Sequence, residues 1–324
     1  MTSQPELFQE LSDLFLEVIP AEYPKHMLCY FAGAMASGHL LPFTLALLEA
    51  LCAVEAATPG YAAKMLKRIG AIKGTGETQY EALLQNLAEI YVTSGLVGHA
   101  DRESGRICFT HEPSLGERKN PECELRINQQ WVAVEVKTPC LIQHGRLRTQ
   151  NPWQLNARLP GKLFKDEETT RPRDNPVKDF LLSANEKFRD YKKLRADAYH
   201  VLVIIWDDYC NEPIAALLNT ASGLLTERSF FRDEDDKPVE FPHLDSIVII
   251  RHQHQLTLAM HCEPLVDGLK HAFDYQHQGF PPKAVIQCPN GRLLPPDVLS
   301  ALNATHLNRC LGAEYNPGEL VMWV

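Results

Sequence analysis

The chain has 324 residues, enough for one large domain or two ordinary ones, and its 45% hydrophobic and 23% charged content is that of a globular protein in water. No apolar run approaches a membrane span, the N-terminus lacks a basic-then-apolar leader, and nine scattered cysteines form no C-x-x-C pair. These features argue against a membrane protein, a disulfide framework and a zinc ribbon, and a reducing cytoplasm is the expected location. The net charge of −9 excludes a uniformly basic nucleic-acid binder, but residues 138–195 hold thirteen Lys or Arg against seven Asp or Glu.

From about Glu6 to Gly70 the pattern predicts helices. Leu7, Leu11, Leu14 and Val18 recur at helical spacing, a second helix is expected from Lys25 to Ser37, and a third follows Pro42 towards Ala57. Pro59-Gly60 ends that helix, and a shorter basic one runs to Gly70. This block reads as a helical accessory domain without a catalytic constellation. Lys73 to Gly76 is a linker and not a Walker loop, because the spaced glycine followed by Lys and Ser/Thr is missing. Glu77 to Gly95 is amphipathic, with Leu83, Leu87, Ile90 and Tyr91 on its apolar side. Thr78 to Glu81 also fits a capping box. Arg106 to Thr110 is a short strand candidate and Pro113 to Lys119 a loop.

The most informative stretch follows. Pro121-Glu122-Cys123-Glu124-Leu125 and Trp131-Val132-Ala133-Val134-Glu135-Val136-Lys137 each alternate polar and apolar residues across a turn at 128–130, which predicts a β-hairpin. With Asn128 facing Trp131, Glu124 would lie opposite Glu135 and Glu122 opposite Lys137, all on one face. Like charges set opposite each other are destabilising. A divalent hard cation removes that repulsion, since Mg²⁺ takes carboxylate and carbonyl oxygens. The bland alternative is a solvated charged face whose surface ion pairs contribute little.

Thr138-Pro139 ends the hairpin. Cys140 to Pro176 is long and punctuated by prolines, and carries Arg146, Arg148, Arg158, Arg171 and Arg173 with Trp153 and Phe164 interleaved. Cations among aromatics suit a nucleic-acid clamp, where rings stack on bases. Val177 to Leu194 reads as a helix, and Tyr199 to Trp206 as a strand buried on both faces. Asp207-Asp208 suits a helix cap, and Asp233 to Glu240 an acidic loop. Ser246 to Met260 reads as one or two strands. His252 and His254 share a face there, but spacing places no third metal ligand. A helix near Asp297 to Leu307 and an apolar end at Leu320 to Val324 complete the chain.

Pro121-Glu122 with Glu135-Val136-Lys137 resembles the PD-(D/E)xK nuclease superfamily, with Glu in place of the usual Asp. The likeness covers roughly Glu77 to Trp206, whose predicted elements follow the family order of helix, three strands, helix, strand. It implies an α/β fold: a restriction-endonuclease-like mixed sheet flanked by helices. An N-terminal helical domain (1–73), a nuclease-like domain (74–262) and a C-terminal extension (263–324) are then expected. It implies that Glu122, Glu135 and the Val136 carbonyl hold Mg²⁺ or Mn²⁺, with Lys137 as the catalytic lysine. Glu124 competes with Glu122 for a ligand position. The family carries a glutamate on the helix before its first strand and a Lys or Gln on the helix after its third. Glu81, with Glu89 as a weaker candidate, and Lys187 are similar. The implied reaction is hydrolysis of a phosphodiester, in DNA rather than RNA, to a 5′-phosphate and a 3′-hydroxyl, in antiviral defence or repair. The alternative is a catalytically inactive nucleic-acid-binding or interaction subunit of the same fold. For either reading a homodimer, or a partner subunit supplying an ATPase or sensor, is an expected assembly.

Overall fold

The computed structural model describes residues 4–113, 120–140, 146–147, 150, 153–154, 169–170, 174–206, 211–250 and 282–318. Arg148, Arg158, Arg171 and Arg173, and His252 and His254, lie outside the described residues. Five helices come first: α1 (Gln4–Val18), α2 (Cys29–Ala36), α3 (Pro42–Glu55), α4 (Tyr61–Gly70) and α5 (Glu77–Val97). α2 is shorter than its apolar spacing predicts. His26 is fully buried, its ring bonds the Ile69 carbonyl at 3.0 Å and accepts the Leu28 N–H at 3.0 Å, and the chain there stays non-helical. α5 begins at Gly76 with no side-chain cap, so the predicted capping box does not form.

Short strands β1 (Arg102–Glu103) and β2 (Arg106–Ile107) pair with each other. β3 (Phe109–His111), β4 (Cys123–Ile127) and β5 (Gln130–Lys137) form an antiparallel meander. β6 (Trp153–Gln154) and β7 (Thr169–Thr170) are a separate two-residue pair. α6 (Asp174–Tyr191) crosses over to β8 (Tyr199–Ile205), which is parallel to β5. After α7 (Asn211–Leu218) come β9 (Ser246–Ile250), β10 (Lys283–Gln287), α8 (Pro296–Ala301) and β11 (Ala304–His306). α8 is again shorter than expected. One mixed seven-stranded sheet results, in the order β11-β10-β9-β8-β5-β4-β3. The protein is therefore an α/β fold with an N-terminal helical region. No described helix is long and apolar enough to cross a membrane.

Alternation along the strands sorts two cores. Cys123, Leu125, Val132, Val134, Val136, Val201, Val203 and Ile205 pack with α5 and the helices before it. Ala133, Leu202 and Ile204 pack with Val177, Leu181 and Phe188 of α6 and Ile214 of α7. β8 thus has no polar face, as its uninterrupted apolar run predicts.

The hairpin forms, but two residues out of the expected register. Cys123 pairs with Val134, Glu124 with Ala133 and Ile127 with Gln130. Asn128 and Gln129 make a two-residue turn with φ of 46° and 66°, the primed geometry that suits strand twist. Asp101 holds that turn: its carboxylate accepts the Asn128 N–H at 2.8 Å and the Gln129 N–H at 2.7 Å. Glu124 is therefore not opposite Glu135. It is buried, accepts a hydrogen bond from the Tyr191 hydroxyl and another at 3.2 Å from Arg195, and so ties the end of α6 to β4. Tyr191→Phe removes one of these partners from a buried carboxylate. It should lower unfolding free energy by about 1–3 kcal/mol in denaturant titration; an unchanged midpoint would remove this contact from the account.

Candidate metal centre

Glu135 has no solvent exposure, and its carboxylate is met by two ammonium groups. Lys187 of α6 donates to both oxygens, at 2.7 and 2.9 Å, and the Lys137 ammonium lies 2.7 Å from one of them. Burying a charge is tolerated when it is paired and hydrogen-bonded in this way. One step beyond the last paired residues, the register sets Glu122 level with Glu135. Its carboxylate is 3.8 Å from the Lys187 ammonium.

Glu122 also reaches a second group. Glu89 of α5 and His111 of β3 are both buried, and His111 Nε2 lies 2.8 Å from a Glu89 oxygen. The His111 ring is held edge-on against Tyr61, centroids 4.7 Å apart. Arg68 of α4 approaches the other Glu89 oxygen at 3.2 Å. One donor atom from each of Glu89, His111 and Glu122 lies within 4.8 Å of the others. That spread suits one shared divalent ion, whose opposite ligands sit about 4–5 Å apart. A His nitrogen with two carboxylates is a mixed donor set that suits Mn²⁺ or another transition-metal ion better than Mg²⁺, which prefers oxygen alone. An ion there would replace the Glu89–His111 hydrogen bond.

The electrostatics agree with that fit. Burial, then the neighbouring Glu89 and Glu135 charges, push the Glu122 carboxyl up to about 8, against the pull of Lys187 and Lys137. Without a divalent ion beside it, Glu122 favours its protonated form despite the two lysines. A polar cleft of about 310 Å³ opens over the group, lined by Arg68, Asn86, Glu89, Glu122, Lys137 and Thr138 among others. A larger, mostly apolar cavity of about 710 Å³ beside Leu224, Phe241 and Cys288 brings together none of the sequence-predicted residues.

Of those residues, Glu122, Glu135, Lys137 and Lys187 converge, and Val136 lines the cleft. Glu124 does not join them, being committed to Tyr191 and Arg195. Glu81 lies two turns before Glu89, beside Cys140, about 12 Å away along the helix axis. The weaker helix candidate, Glu89, is the one that reaches the site. Arg146 is exposed and paired with Glu77. His111 and Arg68 were not predicted. The alternation of Phe109 with His111 is the only local signal that this histidine points inward.

Comparison of the chain with protein-family models, with curated proteins and with solved structures gives no match in any of the three. What stands is a mixed α/β sheet carrying a Glu–His–Glu group suited to a metal ion.

With divalent ions removed, folding raises the Glu122 pKa from 4.5 to about 8. The folded state then keeps a proton that the unfolded chain releases. Its stabilising effect is full below 4.5 and is lost as pH rises through 8. Thermal unfolding in EDTA should show the midpoint falling between pH 5 and 8 by more in the wild type than in Glu122→Gln, which stays neutral. Identical pH profiles would mean that Glu122 is not perturbed.

Proposed function

We propose that the protein is a divalent-metal-dependent phosphodiesterase of the PD-(D/E)xK type, acting on nucleic acid, with DNA as the first substrate to test. One observation carries this reading. Side chains from α5, β3, the residue before β4, β5 and α6 meet at one sheet end: Glu89, His111, Glu122, Glu135, Lys137 and Lys187. Counting only the elements of the seven-stranded sheet and the helices beside them, the order from α5 to β8 is helix, three strands, helix, strand, with the short pairs β1-β2 and β6-β7 inserted; this agrees with what the motif resemblance implies.

Glu89, His111 and Glu122 would hold the metal. When bound it supplies polarisation of a phosphoryl oxygen and a more acidic water. Glu135 acts as a positioning residue for its two lysines. Lys137 lines the cleft and would meet the negative charge that develops on the phosphate. Lys187, held at 2.7 Å from Glu135 and 3.8 Å from Glu122, would balance the acids when Glu122 ionises.

A second reading rests on the same pair. Both Glu135 oxygens are already occupied by an ammonium group, as in a non-catalytic module that has replaced a metal with lysine. Plasmid, linear duplex, single-stranded DNA and RNA, each incubated with Mg²⁺, Mn²⁺ or EDTA, separate the two. The phosphodiesterase should cut at least one substrate, and only with metal. Calorimetric titration of Mn²⁺ should show weakened binding in Glu89→Gln and Glu122→Gln and retained binding in Glu124→Gln. Lys137→Ala should keep or improve metal binding while cleavage slows on the order of 10²- to 10⁴-fold. Full activity in Glu122→Gln and Lys137→Ala would sink the mechanism; no cleavage of any substrate would favour the second reading.

A further inference from the structure

From sequence the helical region reads as an accessory domain without a catalytic constellation of its own. In the structure α4 contributes Arg68 to the lining of the cleft. Its exposed residues are Lys64, Lys67 and Arg68, and all three are cations. The dipole of α4 accounts for cations in its last turn, where Lys67 and Arg68 sit, but not for Lys64 a turn earlier. Two of the three reach across to the site: Arg68 to Glu89, and Lys64 to Glu112, the neighbour of His111. Both cations are still well exposed, with 43% of the Arg68 side chain accessible against 9% for Glu89. Arg68 therefore has one side on a buried acid and the other on the open cleft.

Charge bookkeeping gives that placement a consequence. The converging acids are Glu89, Glu122 and Glu135, and the converging cations are Lys137, Lys187 and Arg68. With all six ionised the group is neutral. A divalent ion added to it leaves two positive charges in excess, next to a guanidinium whose partner the ion has taken. A phosphodiester strand, with one negative charge per phosphate, offsets that excess. Arginine's planar fork suits a phosphate oxygen pair as well as a carboxylate.

We propose that α4 is the phosphate-binding wall of the cleft, and that Arg68 passes from Glu89 to a backbone phosphate when a divalent ion occupies Glu89, His111 and Glu122. This rests on the phosphodiesterase reading and adds a substrate contact from the helical region. It makes metal and strand bind with positive coupling, because the metal takes Glu89 from Arg68 and the phosphate takes Arg68 from Glu89.

Two titrations of the full chain test it. Fluorescence anisotropy reads binding of a labelled single-stranded DNA, the matching RNA and the DNA duplex, in EDTA and in Ca²⁺. Calorimetry reads Mn²⁺ alone. Arg68→Ala should bind Mn²⁺ several-fold tighter, since a competing cation is gone, and the strand on the order of tenfold more weakly in Ca²⁺. Arg68→Lys should restore most of the strand affinity. Lys64→Ala and Lys67→Ala should each lower the salt slope of strand binding by about one unit. Loss of metal and strand affinity together in Arg68→Ala would mark a merely structural residue and overturn the proposal. So would strand affinity equal to the wild type's. A wild-type protein that binds neither metal nor strand would instead overturn the phosphodiesterase reading itself. The DNA, RNA and duplex arms identify the strand.

Discussion

A carboxylate without solvent exposure has to be paired or protonated, and Glu135 is paired twice. Because Lys187 bonds both of its oxygens, the seat of α6 on the sheet is set by charge as well as by Val177, Leu181 and Phe188. Breaking such a buried pair strands an ion and typically costs about 3–5 kcal/mol. That is far more than the surface pairs elsewhere on the chain contribute. The crossover from β5 to β8 must therefore deliver Lys187 to this one place. Once it does, Tyr191 falls one turn further on, over Glu124. A single helix thus satisfies both buried acids of the hairpin.

Much of this was legible in the sequence, and the reasons are local. Alternation from Cys123 to Lys137 identifies two strands and assigns each side chain a face. It cannot distinguish registers that differ by an even number of residues, since a slip of two keeps every face. The slip is decided by the turn, and the turn uses Gln129 at φ 66°, a conformation that a glutamine side chain does not announce. Asp101, outside the hairpin, makes it favourable by accepting both turn N–H groups. The uninterrupted run of β8 was readable for a different reason: a strand covered on both faces has no alternation to lose.

The donor set was less legible, because it is assembled across elements. Glu81 and Glu89 lie on one helix and both fit a pattern of acids beside apolar residues. Which one meets the sheet depends on where α5 crosses β4 and β5, a tertiary fact. Glu89 is further distinguished by Arg68 and His111, which approach from α4 and β3. His111 occupies a three-residue strand with no motif around it. Arg68 reads as one more cation on a basic helix. Each is ordinary in its own segment, and only their common approach to Glu89 joins them to the site.

Glu122 owes its reach to the residue before it. Proline has no N–H to give to a ladder, so Pro121 keeps the strand from starting earlier, and β4 begins at Cys123. Inside a strand a side chain belongs to one face. The acids and lysines on the α6 side and the pair on the α5 side would then be separated by the thickness of the sheet. Just outside the ladder that constraint lapses. Glu122 lies 3.8 Å from Lys187 and, at the same time, within 4.8 Å of donor atoms on Glu89 and His111. One carboxylate at a strand end therefore couples the chemistry of two opposite faces. A change in the charge around Glu89 is felt by Lys187 through Glu122, although no side chain passes through the sheet.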